Sequence, residues 1–227
     1  MGFFDRFFKS TPPTPPPVPA GKVPAEKPAP QLPQVPERLP RITGSSAAEV
    51  CKHWKLQPTA EASLTGAQTP SQFLGVLQEK ELGDDMVKFL AYGLPDRDGV
   101  AWAIECIAKL SQEQMAPADA QALRTAQAWV ESPTEANRAV AAAAAAKTDF
   151  QNPSAWAAQA AAWAQAGAPS PASKAAPPPQ RLAPHAIAGC VLLAATKTPG
   201  EERGTFRAQY PFIAMGLARA RGGSAQP

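Results

Sequence analysis

The chain has 227 residues, a formal net charge of +3 from 22 Lys and Arg against 19 Asp and Glu, 27 prolines and only 7% aromatic residues. That small excess of charge is spread out, without basic runs interleaved with aromatics, which argues against a nucleic-acid groove. Three widely spaced cysteines, Cys51, Cys106 and Cys190, fit reduced thiols in a cytoplasm rather than a disulfide framework.

The first nine residues, MGFFDRFFK, put Phe3, Phe4, Phe7 and Phe8 on one side of a short helix of about 3.6 residues per turn, with Asp5, Arg6 and Lys9 on the other. Such a peptide suits docking better than a core. Burying one phenylalanine is worth roughly 1.5 to 3 kcal/mol, so four support reversible binding even after the peptide is ordered. A groove on a protein partner would serve. So would a lipid surface, with Arg6 and Lys9 at anionic headgroups. The alternative to both is a tip that folds back on its own domain or engages nothing. No export signal is expected, because charges interrupt the apolar start, and Arg6 stands where an N-myristoylation pattern needs Ser or Thr.

Residues 10–44 are so rich in proline that they predict a disordered, polyproline-like tether, able at about 3.1 Å per residue to hold the peptide about 100 Å away. From residue 45 to 222 the composition turns to helix formers, predicting one all-α domain large enough to bury a core without disulfides or metal. Residues 223–227 read as a frayed tail.

Within that domain, a capping side chain followed by proline marks helix starts at Ser132-Pro133 and Asn152-Pro153, and Ala116-Pro117 and Ala183-Pro184 repeat the proline without the cap. Helices are predicted near 46–55, 71–92, 98–110, 117–131, 133–147, 153–166, 184–197 and 200–220. Gly83 should split the second, with Asp84 able to cap the new start, and Pro211 should kink the last. No strand pattern is present. Phe73, Leu74, Leu77, Met86, Phe89, Leu90, Trp102, Ile104 and Ile107 form apolar stripes and are expected in the core. Alanines beside Trp129, Trp156 and Trp163 let helices approach closely, and Ala139 to Ala146 should line a tight contact or face water. The expected architecture is an irregular bundle of seven or eight helices, with stacked helix pairs as the alternative. The longest apolar run, Ala186 to Ala195, is about half of the roughly 20 residues that a membrane span needs and reads as a buried helix.

Chemistry is sparse. Cys51 and His53, two apart, point about 200° apart on a helix and cannot share a metal without unwinding. No GxSxG elbow, HExxH pair or Walker loop occurs. No catalytic, metal or cofactor residue is assigned, and an enzyme is not expected. The acidic spots Asp84-Asp85 and Asp96-Arg97-Asp98 sit at predicted helix starts, where carboxylates complement the dipole. Asp96, Arg97 and Asp98 are also the candidate for an exposed partner contact, because polar turns on rigid scaffolds carry recognition.

The segments Leu90 to Leu110, Ala126 to Ala145, FQNPSAWAAQAAAWAQ and AIAGCVLLAA resemble an uncharacterised bacterial all-helical family associated with type VI secretion gene clusters. The shared motifs are structural: a Leu-Pro turn, a Trp-Val helix end and a Gly-centred apolar helix. The resemblance implies a secretion or contact-dependent apparatus as context and defines no catalytic residue. Taken together, these readings predict a non-enzymatic adaptor or scaffold that binds a protein partner through the helical domain and docks through its N-terminal peptide. The alternative is a peripheral membrane protein anchored by residues 1–9. The expected location is the cytoplasm or the inner face of the membrane, and neither nucleic acid nor a small-molecule ligand is expected.

Overall fold

The computed structural model describes residues 32–110, 115–165, 181–198 and 202–219, with only the backbone for 202–207. Among them the chain forms ten helices and no strand: α1 Ala47–Cys51, α2 Pro58–Glu61, α3 Pro70–Glu79, α4 Gly83–Gly93, α5 Asp96–Ala108, α6 Pro117–Glu131, α7 Glu135–Ala145, α8 Pro153–Trp163, α9 Leu182–Lys197 and α10 Glu202–Arg219. The expectations for residues 1–9, for 10–31 of the tether and for the tail 223–227 lie outside the described residues.

Local chemistry explains most of the starts. Thr69 and Gln72 form a reciprocal capping box ahead of α3, each side chain accepting the other's backbone N–H at 3.2 and 2.9 Å, and Pro70 fills the first helical position. Ser46 caps α1 by accepting from the Glu49 backbone. Four starts differ from the sequence reading. Ser132 closes α6 instead of capping α7, whose cap is Thr134, accepting from the Asn137 backbone. Asn152 precedes Pro153 as expected, but its side chain donates to Asp119 Oδ2 at 2.6 Å rather than capping α8. The split at Gly83 occurs with Leu82 at the cap position, so Asp84 and Asp85 lie inside the first turn of α4. Helix α9 begins at Leu182, two residues before Pro184. The short helix α2 falls between predicted elements, started by Pro58.

Helix α8 sits among α5, α6, α7 and α9, while α10 packs on α4, α5 and α9. Contacts therefore run well beyond neighbours in the chain, so the helices close into one bundle instead of stacking as a solenoid. Trp102, Trp129, Tyr210, Phe73 and Phe89 are the largest fully buried side chains. Helix α10 continues through Pro211, and the indole N–H of Trp102 donates to the Tyr210 carbonyl at 2.8 Å. The alanine-rich α7 does both things its composition allows: Ala141, Ala144 and Ala145 are buried against α6 and α8, while Ala139, Val140 and Ala143 face outward. Among the described residues no helix is long and apolar enough to cross a membrane.

The stretch 32–44 corrects the expected tether boundary at residue 45. Leu39 and Ile42 are buried in the core, the Arg41 backbone N–H donates to the Ala218 carbonyl at 3.2 Å, and Thr43 bonds the Gly93 carbonyl through both its backbone N–H and its hydroxyl. Two apolar anchors interrupt the proline run here, and they give the arm something to bury. A chain starting at residue 32 should melt cooperatively. Starting at 45 should lower its thermal midpoint clearly, since Leu39 and Ile42 each contribute roughly 1.5 to 3 kcal/mol; equal midpoints would show that this stretch adds nothing.

Helices α5 and α9 meet at Gly99, where an added Cβ would stand 2.6 Å from the Cδ1 of the fully buried Ile187. Gly99→Ala is expected to cost about 1 to 3 kcal/mol in chemical denaturation, and Ile187→Val, which removes that Cδ1, should recover much of the loss in the double variant. Simply additive losses would mean that this contact does not set the spacing.

Candidate functional site

Pro95 occupies the cap position of α5, so its first turn starts without a side-chain cap. The three residues that follow fan out around the helix axis and reach three different parts of the chain. Asp96 Oδ2 accepts the Gln165 backbone N–H at 2.9 Å, just past α8. Arg97 donates through Nε to the Val130 carbonyl at 2.7 Å, placing a cation at the negative end of α6. Asp98 holds Arg41 through Nε and Nη2, at 2.6 and 2.5 Å. Arg97 is the exposed member of the trio; both carboxylates are half-buried and bonded within the chain. Burial pushes the Asp96 pKa up, against the pull of the Gln165 N–H and the Arg181 charge.

One helix turn earlier, Tyr92 is buried and forms the centre of an aromatic cluster that draws in both histidines of the chain. Trp54 stacks on it at 5.0 Å between ring centroids, His53 at 6.0 Å, and His185 meets it edge-on at 6.0 Å. The phenol oxygen and His185 Nδ1 share a hydrogen bond. Burial raises the Tyr92 pKa and, with the Arg181 and Lys52 charges, lowers that of His53. The second acidic spot is different. Asp85 is fully buried, its carboxyl pushed up by burial, and the nearby Lys88 charge, Gln57 N–H and Trp54 indole offset this only in part, neither donor forming a well-made bond.

Between these groups lies an open cleft of about 500 Å³. Among the described residues its lining comprises Thr43, Tyr92, the Leu94 to Arg97 turn, Trp163, Gln165, Arg181 and Pro184. Arg181 adopts a left-handed backbone, φ 63°, and precedes α9 without capping it through its side chain. The sequence reading missed Tyr92, Trp163, Arg181 and His185. Tyr92 and Trp163 lie far in the chain from Arg181 and His185, and no local motif links them.

The thiols are packing groups. Burial pushes the Cys51 thiol up to about 12, with Asp85 adding to the effect, and raises Cys106 and Cys190 further. Cys190 donates to the Pro153 carbonyl at 3.2 Å. Among the described residues no three His, Cys, Asp or Glu side chains converge as metal ligands would.

The model of a family of unknown function, DUF6931, matches residues 73–220. The chain belongs to that family. No curated protein and no solved structure matches it. The DUF6931 match begins within α3, takes in α4 to α10 and, of the described residues around the cleft, leaves out Thr43 and the His53 and Trp54 rings on Tyr92.

Because its folded pKa stands above the ordinary 3.8, Asp96 binds a proton more readily in the folded chain than in the unfolded one. Its buried charge therefore costs stability at neutral pH, and that cost fades as pH falls through the folded pKa. Asp96→Asn, which keeps an oxygen for the Gln165 N–H, should raise the thermal midpoint at pH 7, with the advantage closing as pH approaches 4. An advantage independent of pH would overturn the assignment.

Proposed function

We propose that this chain is a non-enzymatic adaptor or scaffold, an accessory of a bacterial secretion apparatus, that binds a protein partner through its helical bundle and docks through residues 1–9. The reading rests on one observation: the sequence divides into a four-phenylalanine amphipathic peptide, a segment with nine prolines among residues 10–31, and a bundle whose packing begins within 32–44. Twenty-two residues of extended polyproline-like chain would span about 70 Å, enough for the two ends to engage sites that do not touch. Chemistry on the bundle points the same way, since all three thiols are buried and pushed up, which removes them as nucleophiles near neutral pH. The working location is the cytoplasm, with the docking peptide engaging a protein groove; lipid is the outcome that the test must separate.

Phe4→Asp together with Phe7→Asp should abolish recovery of the partner from lysate while leaving the melting of the bundle unchanged. Liposome flotation of the same pair of proteins separates the sources: binding to anionic vesicles by the parent alone would move the docking site to lipid. Intact recovery and unaltered flotation in the double variant would sink the docking role, and a lowered midpoint would assign the peptide to the fold.

A further inference from the structure

The geometry points to the cleft between α4, α5 and α9 as a binding site for a carboxylate carried on an apolar body, with Arg181 and Arg97 receiving the charge and Trp163 flanking the body. Three observations carry it. Among the described residues, two guanidinium groups and one carboxylate line a cavity of about 500 Å³, a size that suits a small organic acid or the terminal residues of a peptide. Arg97 is held in place by the α6 carbonyls and Arg181 is exposed, and neither makes an ion pair among the described residues. Finally, the Arg181 charge reaches Tyr92 and Asp96 of the cleft lining, as it does His53 and Glu49 outside it.

Asp96, the acidic member among the described lining residues, sharpens the argument. Asp96 already spends one oxygen on the Gln165 N–H, and burial favours its neutral form, so it opposes an incoming anion less than an exposed aspartate would. A bidentate guanidinium contact then supplies both strength and orientation. The site does not depend on the adaptor reading, because it uses the bundle alone. Its carboxylate could belong to a free acid or to the C-terminus of a peptide.

Calorimetric titration of the full chain with phenylacetate, with phenylacetamide, and with a short peptide ending in a free phenylalanine carboxylate or its amide distinguishes these. Saturable binding of an acid but not of its amide is expected. Phenylacetate alone would identify a small acid, and tighter binding of the peptide would identify a chain terminus. Arg181→Gln should weaken the preferred acid by roughly tenfold or more with the thermal midpoint unchanged, since a lost charge-assisted bond costs about 1.5 to 3 kcal/mol. Asp96→Asn should tighten it. Equal binding of acid and amide, no binding of either acid at millimolar concentration, or full affinity in a folded Arg181→Gln variant would each overturn the assignment.

Discussion

Helix α8 is the constraint around which the other helices are arranged. Eight of its eleven residues are buried, and six of those eight are alanines, so it contributes almost no side-chain volume and lets α5, α6, α7 and α9 approach its backbone from different sides. A helix with so little relief cannot choose its partners by shape. That choice falls to the large residues at its ends and on its neighbours: Trp156 packs beside Gly189 of α9, where a Cβ would stand 3.5 Å from the indole, and Ile187 fills the space left by Gly99 of α5. Because alanine buries little area, the stability of the core rests on few side chains, chiefly Trp102, Trp129, Tyr210, Phe73 and Phe89.

Polar bonds then fix the helix ends that alanine packing leaves undetermined. Asn152 joins the start of α8 to Asp119 of α6, and Arg138 ties α7 to the last turn of α8 by donating to the Ala162 carbonyl at 2.8 Å. At the start of α5, Asp96, Arg97 and Asp98 hold the chain after α8, the end of α6 and the arm. The bonds of Asn152, Arg138 and Asp98 are partly buried and charge-assisted, so they lose less to solvent screening than the exposed bonds of Asp96 and Arg97. Their effect is to set the walls of the cleft before any ligand arrives, which is what lowers the cost of ordering on binding.

Much of this architecture is legible in the sequence because it follows from local rules. The helix class, the core stripes at Phe73, Leu77, Phe89 and Trp102, and the proline-marked starts of α6 and α8 need only periodicity and capping chemistry. Readings failed where a side chain had a better partner elsewhere in the fold. Asn152 looks like a cap and becomes a link to Asp119; Pro133 looks like a first helical residue, yet Thr134 is the better cap. The arm boundary was misplaced because two apolar residues, Leu39 and Ile42, carry little weight in a window dominated by prolines. The cleft was invisible for a deeper reason: Thr43, Tyr92, Trp163 and Arg181 meet only through tertiary packing.

The composition of the cleft also says something about the parts of the chain that surround the DUF6931 match. Most of its lining comes from residues within 73–220, but Thr43 lies outside, as do His53 and Trp54, whose rings cover Tyr92. Arg41, also outside, holds Asp98 two residues from Asp96. The stretch that connects the proline-rich segment to the bundle therefore contributes Thr43 to the cleft lining and, through Arg41, holds Asp98 in the first turn of α5. Among the described lining residues, Thr43 alone comes from before the match, so the preceding stretch acts on the cleft chiefly through the rings on Tyr92 and the Arg41 bond to Asp98.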